Sequence, residues 1–395
     1  MKIKISSYLF LKAAEKVNIF SDSIVPGIMI EATGGNLIFT ASNLDSEVSV
    51  LISEEDRLTV TGEGVIRIPG KAVIDLVKNL IGDITIETDK KGKGISIRSG
   101  KSKYTFHTIE VEFPHLTVDG KAKWKTDLRE YDFNALINSV AFAALKETTK
   151  RNLNGVYIEP EADGLRATAT DAHRLAINSM EANTTGAGKA KQGVIIPLKS
   201  LNNLIKFMSP ATTVSSIRIA VHEKVVVFET DLGTVITRTI DENYPDCKSL
   251  TNIKADVSIV IHTNPLKDAF DRLQTVVKGK CRCVALTVKE NKVNLVSADA
   301  AIGTGAESVE AVVKGTLKDG IYLNAKYITD FLEKMVNVDT VTINISDRAK
   351  ITADFEGTGK EYYIFSNVEY IVMPIRHDSN TAASTAEEAE EGDEE

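Results

Sequence analysis

Cysteine is scarce in this chain: three in 395 residues, Cys247, Cys281 and Cys283. A small, odd number argues against a disulfide framework and for a reducing compartment. Cys281-x-Cys283 reads as a strand with both thiols on one face. One C-x-C without further ligands is a poor metal signal, so small buried hydrophobes are the simpler reading. The six histidines, at 107, 115, 173, 222, 262 and 377, show no metal-ligand spacing. No apolar run is long enough to span a bilayer, and the N-terminus lacks a signal-peptide apolar region. The expected location is the cytoplasm, with no membrane partner. Catalytic motifs are missing as well. There is no G-x-x-x-x-G-K-[ST], H-E-x-x-H or G-x-S-x-G. The fragments G-K-G at 92–94 and G-T-G-K at 357–360 read as turns. Asp171 and His173 form a conceivable acid–base pair with no evident nucleophile nearby, and a structured turn is the competing reading. No cofactor is expected.

What is present is said three times. P-G-K-A-V-I-D-L-V-K-N-L at 69–80 returns as P-L-K-S-L-N-N-L-I-K-F-M at 197–208 and as N-A-K-Y-I-T-D-F-L-E-K-M at 324–335. Apolar residues fall at Val73, Leu76, Val77 and Leu80, then at Leu201, Leu204, Ile205 and Met208, then at Ile328, Phe331, Leu332 and Met335. That spacing predicts one buried face of an α-helix. Lys71, Lys199 and Lys326 precede the stripes, and Lys78, Lys206 and Lys334 follow seven or eight residues later. An amphipathic stretch opens each third, at 5–14, 128–137 and 261–270. A small polar segment follows at 41–45, 169–173 and 297–301. Each third closes on a proline: Pro114, Pro245 and Pro374. The period is a domain of about 125 residues, a size that suits an independent core.

Between the lysine helix and the closing proline, apolar residues alternate. They do so at Ile84 and Ile86, Ile95 and Ile97, Tyr104 and Phe106, Ile217 to Val221, Val225 and Val227, and Val341 to Ile345. A two-residue period predicts antiparallel strands with one face buried, and so an α+β domain with helices on one side of a sheet. The expected division is 1–122, 123–253 and 254–376, with an acidic tail at 377–395.

The formal net charge is −8. The last nineteen residues hold eight acids and no Lys or Arg, and without them the remaining 47 acids equal the 47 bases. The tail lacks the apolar residues to fold and reads as disordered. A neutral body can still carry a basic concave face.

R-N-L-N-G-V at 151–156, L-R-A-T-A-T-D-A-H-R-L-A at 165–176, N-Y-P-D at 243–246 and Y-I-V-M-P-I-R at 370–376 together resemble the bacterial DNA polymerase III beta subunit, the sliding-clamp family. The order and spacing fit across 1–376. The resemblance implies a non-catalytic accessory subunit of a DNA-directed DNA polymerase. It implies a head-to-tail homodimer, a ring of six domains with helices lining a hole that encircles duplex DNA independently of sequence. Partners would be the replicative polymerase, other clients with short apolar peptides, and an ATP-dependent loader. Expected DNA-facing cations are Lys12, Lys16, Lys71, Lys78, Lys146, Lys150, Arg151, Lys199, Lys206, Lys267, Lys326 and Lys334.

Carried over position by position, the family's peptide pocket is here Leu153, Thr170, Ala172, His173, Arg174, Leu175, Pro245, Leu250, Ile371, Val372, Met373, Pro374 and Arg376. The seam between copies would use Tyr104 and Phe106 with Arg98, Lys101 and Lys103, facing Val276, Val277, Glu307 and Glu310. Alternation alone leaves Tyr104 and Phe106 open between seam and domain core.

The chain departs from the family at several points. Ala172 stands where glycine is usual, Cys247-Lys248-Ser249 where basic residues follow Y-P-D, Cys281 where an aromatic is usual, and Arg151-Asn152 for an aromatic pair. The tail either tunes client or DNA access by charge or is an inert solubilising segment. Rival readings are an enzyme using Asp171 and His173, and a ring-like interaction scaffold that never meets DNA.

Overall fold

The computed structural model describes residues 1–375 except 54–57, 90–91, 111, 148, 187–192, 210–214, 253, 278–281, 300–301, 336–337 and 355–367. Cys281, Arg376, the 357–360 fragment and the acidic tail therefore lie outside the described residues.

The threefold order is visible in the elements. Strands Lys2–Ser6, Trp124–Arg129 and Val257–His262 each run straight into a helix: α1 (Ser7–Asn18), α3 (Glu130–Asn138) and α5 (Thr263–Val276). Strands Gly64–Ile68, Val194–Pro197 and Ile321–Asn324 each precede a lysine helix: α2 (Gly70–Val77), α4 (Leu198–Met208) and α6 (Ala325–Leu332). Antiparallel strands follow each of these.

The opening amphipathic stretches thus each span the end of a strand and the start of a helix. In the first repeat the burial period changes at Ser6. Ile3 and Ile5 point inward at a spacing of two, then Phe10, Ala13, Ala14 and Val17 at helical spacing. The α6 stripe matches expectation, with Ile328, Phe331, Leu332 and Met335 all buried. In α4 Phe207 joins Leu201, Leu204 and Met208 in the core, and Ile205 is half-buried. The α2 stripe is rotated: Val73, Ile74 and Val77 are buried, while Leu76 and Leu80 are half-buried. The helix ends at Val77, so Leu80 falls beyond its last turn. Strand Val225–Thr230 is also out of phase with expectation. Val226 and Phe228 pair with Val221 and Ile219 and share their buried face, which leaves Val227 on the other.

The chain divides into two compact units. The first is Met1–Asn134, Glu159–Gly164 and Ala182–Asp241; the second is Ala135–Ile158, Leu165–Glu181 and Glu242–Glu395. Each unit contains one joint between successive repeats, made edge to edge. In the first, strand Gly233–Arg238 pairs antiparallel with Ser46–Ile52, with Val235 opposite Val48 and Thr237 opposite Ser46. The Ser46 hydroxyl lies 2.8 Å from that of Ser200 and 3.0 Å from that of Thr237, so the polar groups buried at this joint satisfy one another. In the second unit, strand Arg174–Glu181 pairs with Glu369–Val372. Edge-to-edge joining removes edges that would otherwise invite uncontrolled pairing. Ser102–His107 forms an open edge of one sheet in the first unit: among the described residues it pairs only with Gly94–Ser99.

Candidate functional site

The T-D-A-H-R motif is a turn joining strands Gly164–Thr170 and Arg174–Glu181. The Asp171 carboxylate accepts from the backbone N–H of His173 and of Arg174, each at 3.0 Å, and the Ala172 N–H donates to the Thr170 hydroxyl. The first repeat builds the same turn, where Asn43 Oδ1 accepts from the Ser46 N–H at 2.8 Å. Both turns need one left-handed residue, Leu44 at φ 72° and Ala172 at φ 77°. A side chain there is strained by about 1 kcal/mol. Ala172→Gly should therefore stabilise the second unit by about 0.5 kcal/mol, the strain relieved less the extra unfolded-chain entropy of glycine. Urea unfolding followed by fluorescence checks it, and a lower midpoint would refute the strain.

Beyond the turn, alternation sorts the residues carried over as pocket residues onto two faces. Leu175 and Ile371 are opposite one another and share a buried cluster with Ile177, against which Cys247 and Leu250 pack. Cys247 and Ile177 were not expected in it, although Ile177 lies two residues from Leu175 on the same strand. The Cys247 thiol donates to the Pro245 carbonyl at 3.4 Å, and burial, with Asp246 beside it, pushes the thiol up to about 11. Met373, exposed, donates its N–H to the His173 carbonyl at 2.9 Å, so the two chain segments meet at the rim. His173 and Pro245 are exposed, Pro374 is half-buried, and Leu153 and Thr170 are buried. The segment before Tyr244-Pro245 is anchored by Asn152, which donates to Glu242 and to the Asn243 carbonyl. The Tyr244 ring stacks on Tyr157 at 4.9 Å, and burial raises its hydroxyl beyond the ordinary range.

Arg174 and Val372 face the other way. The Arg174 guanidinium is buried, donating through Nε to Asp171 Oδ2 at 2.9 Å and through Nη1 to Asp330 Oδ2 at 2.7 Å. It lies 4.5 Å from the Tyr327 ring centroid and 5.8 Å from that of Phe142. Burial disfavours the charge, but Tyr370 and the two carboxylates outweigh it, so the group is held above its ordinary value. Arg174 therefore fastens a strand of the second repeat to α6 of the third rather than lining the Leu175 cluster. Phe142, Tyr327 and Asp330 were not anticipated. Only the helical i,i+4 spacing from Lys326 to Asp330 hinted at the last of them.

The expected DNA-facing cations fall into classes. Lys71, Lys199 and Lys326 each occupy the second position of a helix whose first turn has no acidic residue. A cation there opposes the helix macrodipole by about 0.3–1 kcal/mol, a cost that a bound anion would offset. Lys71 is exposed and forms no ion pair among the described residues. Lys199 lies 3.6 Å from Asp22, and Lys326 lies 2.5 Å from Asp330. Lys78 pairs with Glu15 and Lys267 with Asp271. Lys12, Lys146, Lys150, Arg151 and Lys206 are exposed, and Lys334 is half-buried.

Lys16 departs from expectation. Its ammonium donates to the carbonyls of Lys206, Phe207 and Ser209 at the C-terminal end of α4. Those carbonyls lack intrahelical partners, so Lys16 serves as their cap. Burial pulls its pKa down, partly offset by Glu130.

At the expected seam, Tyr104 is opposite Ile97 and Phe106 opposite Ile95, both of which are buried. Tyr104 is 38% exposed and Phe106 half-buried, so the apolar face of the sheet runs out to the open edge. Arg98, Lys101 and Lys103 are exposed beside them. Glu307 accepts two bonds from Arg272, at 2.7 and 2.8 Å, and Glu310 lies 3.3 Å from Lys292; Val277 is buried and Val276 half-buried.

Comparison with known proteins agrees with these features along the chain. Models of the DNA polymerase III beta subunit match in order: the N-terminal domain at residues 1–117, the central domain at 127–246 and the C-terminal domain at 251–376. The chain belongs to the DNA polymerase III beta subunit family. A beta sliding clamp from Caulobacter vibrioides is 26% identical over 389 residues, covering 95% of this chain and all of the relative. One from Staphylococcus aureus is 28% identical over 374 residues, covering 89% and 92%. The fold is that of solved sliding clamps. That of Bacillus subtilis superposes with a TM-score of 0.85 at 24% identity, covering 96% of this chain and all of the other. That of Bartonella birtlesii, bound to griselimycin, superposes at 0.84 and 24%, covering 95% and 100%. The family is an accessory factor of replication. Among the described residues no helix is long and apolar enough to cross a membrane, and no group of three His, Cys, Asp or Glu is placed to hold a metal ion.

Proposed function

We propose that this chain is a non-catalytic processivity factor of three clamp domains, and that two copies close head to tail around duplex DNA in the cytoplasm and tether the replicative polymerase. The observation that carries this reading is the threefold placement of Lys71, Lys199 and Lys326 against a helix macrodipole. Flexible point charges suit a partner that is touched weakly, exchangeably and without regard to sequence. Lys12, Lys78, Lys146, Lys150, Arg151, Lys206, Lys267 and Lys334 would add to the same field. Asp171 is engaged by three donors, which favours a structural role for it over acid–base work.

The internal joint supports the seam between copies. Ser102–His107 holds the place in its repeat that Gly233–Arg238 holds in the second, and Gly233–Arg238 pairs with Ser46–Ile52. Gly303–Gly315 is the third repeat's counterpart of Ser46–Ile52, and among the described residues it pairs on one side only over 303–310. One further joint of the same kind would cover Tyr104 and Phe106 and close the ring. Glu307 and Glu310 would then exchange partners with the seam cations.

The Leu175, Ile371, Leu250 and Cys247 cluster, rimmed by His173, Met373 and Pro374, would take apolar anchors of client peptides, and the clamp from Bartonella birtlesii bound to griselimycin offers a probe for it. Ring opening would fall to an ATP-dependent loader.

Retention on nicked circular DNA, with release on linearisation, is the expected result. The double variant Tyr104→Glu/Phe106→Glu should elute near 43.0 kDa rather than about twice that, and lose retention. A wild-type dimer equally retained on linear and circular DNA would favour adhesion over encirclement, and one retained on neither would favour a scaffold.

A further inference from the structure

Asp330 stands between the two proposed binding regions of the second unit. One oxygen accepts from Arg174 at 2.7 Å, and the other lies 2.5 Å from the Lys326 ammonium one helical turn back. Arg174 immediately precedes Leu175, whose side chain helps form the apolar cluster. Lys326 is 43% exposed, whereas the Arg174 side chain is 6% exposed. The lysine can swing out to an anion and the arginine cannot. Tyr327, whose ring lies against Arg174, and Tyr370, which donates to the Tyr327 carbonyl at 2.9 Å, hold the arginine from the remaining sides.

We infer that Asp330 is a positioning residue that couples the peptide pocket to DNA, an inference that rests on the function proposed above. A phosphate that draws Lys326 away leaves the whole Asp330 carboxylate to Arg174. A carboxylate that is no longer shared makes a stronger charge-assisted bond. The strand bearing Leu175 is then pinned more firmly to α6, and a preorganised pocket binds its peptide more tightly. The effect is reciprocal: a peptide that favours the pinned strand frees Lys326 for phosphate.

The test is titration of the full chain with griselimycin, with and without a short linear duplex at low salt, which can thread a ring from its ends. In the wild type the duplex should tighten griselimycin binding about fivefold, the low end for coupled sites. Lys326→Met should bind griselimycin without DNA as tightly as the wild type does with it, and the duplex should add nothing. Asp330→Asn, which retains a bond to Arg174 without the charge, should also lose the DNA effect. A merely structural Asp330 would shift affinity in both conditions and leave their ratio intact, which overturns the inference. So does a wild type that binds both ligands independently. A wild type that binds neither overturns the underlying reading along with it.

Discussion

Arg174→Leu is expected to cost the second unit about 3 kcal/mol of stability. Removing one partner of a buried ion pair typically costs about 3–5 kcal/mol, because the charge left behind stays desolvated. The low end applies because neither carboxylate is fully abandoned. Asp171 still accepts from the backbone N–H groups of His173 and residue 174, and Asp330 still has Lys326. The ring faces of Tyr327 and Phe142 lose their cation as well. Urea unfolding should show the midpoint falling by about 1–3 M for a urea slope of about 1–3 kcal/mol/M. Arg174→Leu/Asp330→Leu should regain part of the loss, since apolar groups of similar volume often replace a buried pair without penalty. A single variant within about 0.5 kcal/mol of the wild type, the range of ordinary surface substitutions, would remove Arg174 as the fastener between second and third repeats.

Lys71→Glu/Lys199→Glu/Lys326→Met is expected to change DNA binding more than any other substitution. Each phosphate contact contributes about 0.9 to the slope of log affinity against log salt on duplex DNA. Six lysines in a dimer should therefore flatten that slope by about 5, and the two glutamates introduced in each chain should add repulsion. Binding to a short duplex measured over a series of salt concentrations reads the slope directly. The proposed dimer should persist, because none of the three lies on the open edge Ser102–His107 through which it would form. An unchanged slope would take these lysines out of the DNA-facing surface, whatever the ring does.

Much of the fold could be read locally. The three lysine helices and the strands Asp83–Thr88, Gly94–Ser99 and Thr340–Ile345 lie where the sequence predicts them, because a helix repeats every 3.6 residues and a strand every two, and Asp171 to His173 form a turn. Where prediction slipped, two periods overlapped. In Val225–Thr230 four apolar residues run consecutively, and only pairing with Ser216–Val221 selects Val226 and Phe228 for the core. The opening amphipathic stretches each hold the end of a strand and the start of a helix, and the change of period at Ser6 and at Arg129 falls within a few residues, too few for the pattern to separate the two.

The sequence by itself determined a threefold domain, its element types, its family and the recurrence of a cation at the start of the same helix. Tertiary structure alone decided which charges are spoken for. Arg174 meets Asp330 across 156 residues, and Lys16 meets the Phe207 carbonyl at the end of α4 across 191. A period records how one segment turns about its own axis. The partner of a charge depends on how distant segments are brought together, and nothing in the local repeat carries that distance.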